Sequence, residues 1–128
     1  MVRASVVFGA AAAIAAAWTI HAGKDLSWDL LHYHYYVAHA FLEGRLERDF
    51  FAASAQSYLN PLGYLLFYWL VSSGWHSVAV SVVLAVVHAV NVALLYALAQ
   101  RLFAHRATPE RTLLSVLAAA LGAASAVF

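Results

Sequence analysis

The sequence predicts an all-α membrane protein: three spanning helices, with two interfacial, juxtamembrane helices in the first external loop. Two observations predict it. The 128-residue chain is 65% apolar and only 10% charged, against roughly half and a quarter for a soluble domain. So small a domain lacks the interior to hide that much apolar surface. The charges are also clustered: of seven basic and six acidic residues, eight lie between Lys24 and Asp49. They leave three uncharged stretches, Ala4–Gly23, Phe50–Gln100 and Thr112–Phe128. The net charge of +1 gives nucleic acid no electrostatic foothold as a partner. The absence of cysteine excludes disulfides, thiolate metal sites and a cysteine nucleophile.

A helix that crosses a bilayer needs about 20 apolar residues. The first stretch fits one span, about residues 4–22. Arg3, an alanine-rich run and Ala15-x-Ala17 also fit a signal peptide loosely. The apolar run continues through Trp18 and Ile20, which favours a retained span. The external loop then covers about residues 23–74. Ser27–Gly44 reads as one helix, with Ser27 as cap, Asp29 in the first turn and Gly44 as stop. Asn60-Pro61 reads as a second start and Ser72-Ser73-Gly74 as a stop, so Pro61–Ser73 is a short helix that lies at the interface. Residues 75–103 form the second span. Thr108-Pro109-Glu110 opens the third, about 109–128, in a tight antiparallel hairpin with the second. Alanines at 10–13, 15–17 and 118–120 allow close helix packing in lipid. Arg3, Arg101, Arg106 and Arg111 then share one side, and Lys24, Arg45 and Arg48 the other. The basic excess favours an internal amino terminus and an external 23–74 loop.

The loop carries the candidate chemistry. At 100° per residue, Asp29, His32, Tyr36, His39 and Glu43 form one narrow stripe. His34 points away from it. Asp29 either charges the helix start or acts as a general base toward a hydroxyl acceptor. With His32 it has the ligand chemistry for a divalent cation. His32 and His39 suit phosphate when protonated and a metal when neutral. No specific metal spacing such as HExxH occurs, so no metal ligand is assigned and the cofactor stays unknown. Glu43, Arg45, Glu47, Arg48 and Asp49 read as a solvated turn of ion pairs, or as a place where Arg45 or Arg48 grips a lipid phosphate. Asp49 is a candidate second acid. His88, with Ser77, Ser81 and Asn91, makes a polar stripe on the second span. Trp28, Tyr33, Tyr35, Tyr36, Tyr58, Tyr64, Tyr68, Trp69 and Trp75 match an aromatic belt at a headgroup boundary.

The order of these features resembles the amino-terminal region of GT-C superfamily membrane glycosyltransferases. A first span is followed by Trp28-Asp29-Leu30-Leu31-His32-Tyr33-His34-Tyr35, then Leu42-Glu43-Gly44-Arg45 and Asp49. Next come Gln56-Ser57-Tyr58-Leu59-Asn60-Pro61, a short helix with Tyr68-Trp69-Leu70, a glycine and a long span. The layout is similar to that of aminoarabinose transferases and protein O-mannosyltransferases, and covers roughly residues 5–105. The resemblance implies a bacterial inner-membrane transferase that uses a polyprenyl-phosphate sugar, with Asp29 as the catalytic acid of the first external loop. On that reading His32, Tyr36, His39, Arg45, Arg48 and Asp49 line the substrate. Two departures stand out: Leu30 occupies the place of a second acid in many members, and Asn60 that of a basic residue. The resemblance also implies further spans, so the chain is expected to be an amino-terminal fragment that is inactive alone.

Two other functions compete. One is a small membrane subunit that binds haem or a partner, with His21, His76 and His88 as axial ligands. The other is a transporter or channel subunit with the acidic stripe as a proton path; the broken, repeated helices of transporter sites are missing.

Overall fold

A computed structural model describes residues 2–23, 29–49, 56 and 60–125. All regular structure among them is helical. Helix α1 spans Ala4–Ala22. A π-helical segment, Leu30–Tyr35, runs directly into α2, Tyr36–Leu42. A 3₁₀ turn, Pro61–Tyr64, runs into α3, Leu65–Ser72. Helix α4 spans Ser77–Leu102 and α5 spans Thr108–Ser125. The chain divides into two compact units, Ala22–Ser81, and Met1–His21 with Val82–Phe128.

Helices α1 and α4 are long and apolar enough to cross a membrane, with mean hydropathy 1.6 and 2.5 over their most apolar windows. Neither hides that surface. None of the α1 window is buried, and 11% of the α4 window is. Val6, Ile14, Trp18 and Ile20 of α1 stand exposed, as do Val86, Val90, Leu94 and Leu98 of α4. At 1.5 Å per residue, α4 is about 39 Å long, more than the roughly 30 Å hydrocarbon core of a bilayer. It starts two residues later than residue 75. His76 stays outside the helix, and its Nδ1 accepts the Val78 N–H at 3.3 Å, so the imidazole serves as a cap.

The expected third span is not established. Helix α5 opens at Thr108 as the sequence indicates, but Glu110 and Arg111 occupy its first turn. Its uninterrupted apolar run begins only beyond them, and residues 126–128 lie outside the described part.

In the unit of Met1–His21 with Val82–Phe128, small residues set the packing. Ala89, Ala99 and Ala119 are buried. Ser115 is fully buried, and its Oγ donates to the Arg111 carbonyl at 2.8 Å, one turn back in the same helix. Helices α4 and α5 run antiparallel: Gly122 lies against Leu95, and Gln100 Nε2 donates to the Arg111 carbonyl at 3.5 Å. Tyr96 is 1% exposed and donates its hydroxyl to the Val2 carbonyl at 3.0 Å, which ties the start of α1 to α4.

In the unit Ala22–Ser81, Val37, Ala38 and Ala40 of α2 and Leu70 of α3 form the core. The Ser27–Gly44 segment is not one regular α-helix. Described from Asp29 onward, it begins π-wound and becomes α-helical at Tyr36. Ser27, the expected cap, lies outside the described residues, as do Lys24, Asp25, Trp28 and Tyr58. The π segment fits more residues into each turn. Consecutive rings of Tyr33, His34 and Tyr35 thereby all reach the 61–72 segment. His34 meets Tyr64 edge-on at 4.6 Å, and Tyr35 meets Tyr68 at 5.0 Å. Both helices end on a left-handed glycine. Gly44 has φ +62°, with Arg45 N–H donating to the Ala40 carbonyl; Gly74 has φ +77°, with Trp75 N–H donating to the Leu70 carbonyl. Each is a Schellman stop, which satisfies carbonyls left over at the helix end.

Candidate functional site

The site is built within the unit Ala22–Ser81. The turn after Gly44 returns Asp49 to the side of α2, and Asp49 becomes a hub. Arg45 grips it with two parallel bonds, Nε to Oδ2 at 2.7 Å and an η nitrogen to Oδ1 at 3.0 Å. The Tyr36 hydroxyl donates to the same carboxylate. One helical turn on, His39 Nδ1 lies 3.2 Å from the Tyr68 hydroxyl of α3. The rings of Tyr36 and His39 are 6.3 Å apart. The cluster thus reaches from the 43–49 turn across α2 to α3.

The electrostatics follow from these bonds. The hydrogen bond from Arg45 holds the Asp49 carboxyl below the ordinary carboxylate range, with further help from Tyr36. Tyr36 is pushed up, first by burial and then by its bond to Asp49. Asp49 is therefore an anchored carboxylate rather than a proton donor at neutral pH. It orients Arg45. That side chain is 50% exposed and spends two of its five N–H donors on Asp49. The remaining donors suit a phosphate oxygen.

Asp29 stands apart from this network. It is exposed, at the head of the π segment. Tyr33 is raised in pKa by burial first, then by the charge and hydrogen bonding of Asp29. Of the residues of the predicted stripe, Tyr36 joins Asp49 and His39 joins Tyr68. His32 is half-buried within the π segment. Arg48 and Glu43 are exposed in the turn region.

Sequence reasoning missed Tyr33 and Tyr68 as partners of the site. Both belong to the aromatic concentration at 28–75, but an aromatic belt does not say which hydroxyls will meet an acid or an imidazole. It also did not choose Arg45–Asp49 among the ion pairs open to five adjacent charges. The i,i+4 spacing was the usable signal.

Among the described residues, no group of three or more histidine, aspartate or glutamate side chains gathers to hold a metal ion. Asp29 and His32, considered for a divalent cation, are thus not part of such a group among the described residues. His76, one of the histidines considered for haem, accepts the Val78 N–H on Nδ1 at the α4 cap.

Comparison with protein-family models, with curated proteins and with solved structures gives no match.

Proposed function

We propose that this chain is the amino-terminal part of a membrane glycosyltransferase of GT-C type, with Asp29 as the catalytic base. The observation that carries the reading is the position of Asp29. An exposed carboxylate sits at the head of a short helix, just after an apolar helix that is long enough to cross a membrane. Its charge helps to raise the pKa of the Tyr33 hydroxyl, after burial. Two short helical segments, Leu30–Leu42 and Pro61–Ser72, pack on each other through aromatic rings next to it.

In the proposed step, Asp29 takes the proton of an acceptor hydroxyl. The acceptor oxygen forms a bond to the anomeric carbon of a polyprenyl-phosphate sugar. The bond from that carbon to the phosphate oxygen breaks with inversion, and the lipid phosphate leaves with the electron pair. Arg45, held by Asp49, meets the phosphate charge; Arg48 and the His32, Tyr36 and His39 side chains complete the substrate-facing set. The protein lies in the bacterial inner membrane, with α1, α4 and a third helix beginning near residue 109 as spans, and residues 23–74 external.

The test is Asp29→Asn in membranes that carry the protein within its full reading frame. Transfer from a radiolabelled polyprenyl-phosphate sugar should fall by about 10²–10⁴, the usual contribution of a general base. Undiminished transfer would sink the assignment.

A further inference from the structure

The unit of Met1–His21 with Val82–Phe128 holds four arginines and one acid, Glu110. Glu110 pairs with Arg106 at 3.3 Å. The other three arginines converge on one cavity of about 420 Å³. Val2 and Arg3 at the start of α1, Tyr96, Gln100 and Arg101 near the end of α4, and Arg111 in the first turn of α5 all line it. None of its lining residues is acidic. The Tyr96–Val2 hydrogen bond fixes one wall. Arg3 and Arg101 are exposed, so their charge meets solvent.

Exposed apolar side chains of two helices flank the cavity. Val6 of α1 lies one turn beyond Arg3, and Leu98 of α4 one turn before Arg101, and both are exposed. Guanidinium forks match phosphate oxygens, and the apolar surface beside them suits acyl chains. We propose that this cavity binds the phosphate oxyanion of an anionic phospholipid headgroup. The proposal uses no residue of the 29–72 region. It stands whether or not Asp29 transfers a sugar, and requires only that α1 and α4 lie in a membrane.

The test uses the purified protein in a phosphorus-free neutral detergent and reads ³¹P line broadening. One arm adds short-chain phosphatidylglycerol; the other adds inorganic phosphate. Arg3→Gln and Arg101→Gln are compared with Arg106→Gln, which removes the same charge from a residue outside the cavity. Each cavity variant should weaken phosphatidylglycerol binding about fivefold, the contribution of one basic side chain near an anionic lipid surface, while Arg106→Gln changes it little. The same pattern with inorganic phosphate but not with the lipid would assign the site to a soluble phosphate. If neither probe broadens, or if Arg106→Gln weakens binding as much as Arg101→Gln, the cavity is not a phosphate site. Should Arg101→Gln lose helicity by circular dichroism, Arg101→Lys keeps the charge without the fork. It should weaken binding by a smaller factor, and unchanged binding would count against recognition by the fork.

Discussion

Asp49 shows how one carboxylate can organise a turn. Its Oδ2 takes bonds from both Arg45 and Tyr36, and its Oδ1 takes a second from Arg45. These bonds favour the ionised form, so the folded-state pKa lies below the unfolded one. The sign of the linkage follows. The contribution is complete above the unfolded carboxyl value, near 4, and disappears as pH falls through the lower folded value. Thermal unfolding in detergent should therefore lose stability below about pH 4. Asp49→Asn should remove that portion of the pH dependence while leaving the profile at neutral pH flat. An identical acid slope in the variant would show that other carboxyls carry it.

Helix ends and helix contacts make separate demands. Asn60 accepts the Leu62 N–H at 3.0 Å through its side chain. Asn60→Ala removes that cap and should destabilise the Ala22–Ser81 unit by about 1 kcal/mol, read as a fall in its thermal midpoint. Gly122 makes a different demand. A Cβ there would stand 2.8 Å from Leu95 Cδ1. That atom is the mobile end of a side chain, so Gly122→Ala should cost little, the more so because alanine favours a helix by about 1 kcal/mol over glycine. Gly122→Ile overfills the contact and should destabilise the α4–α5 pair by roughly 1–3 kcal/mol. Leu95→Ala in the same chain should recover part of the loss. Equal stability of the alanine and isoleucine variants would mean that the two helices do not need their close approach.

For the chain in a membrane, topology is the first question, and the lack of cysteine makes it accessible. Single cysteines at Glu47 and His105 should react with an impermeant thiol reagent from opposite faces of the membrane. That follows if α4 crosses and the short 61–72 segment does not. Labelling of both from one face would mean either that α4 does not cross or that the short segment does.

What could be read along the chain is what acts within a helical turn or accumulates over a run of neighbours. Apolar stretches between clustered charges marked α1 and α4, because the free energy of moving apolar surface out of water sums over consecutive residues. Asn60, Gly44 and Gly74 marked helix ends, because a cap bonds to the next turn and a left-handed residue needs no side chain. The winding of Leu30–Tyr35, the union of His39 with Tyr68, the choice of Asp49 by Tyr36, and the arginine cavity joining Arg3 to Arg101 and Arg111 were decided by tertiary structure. Each joins groups 13 or more residues apart, or depends on such a contact, and local propensity places no constraint on which of several polar partners packing will bring within hydrogen-bond reach.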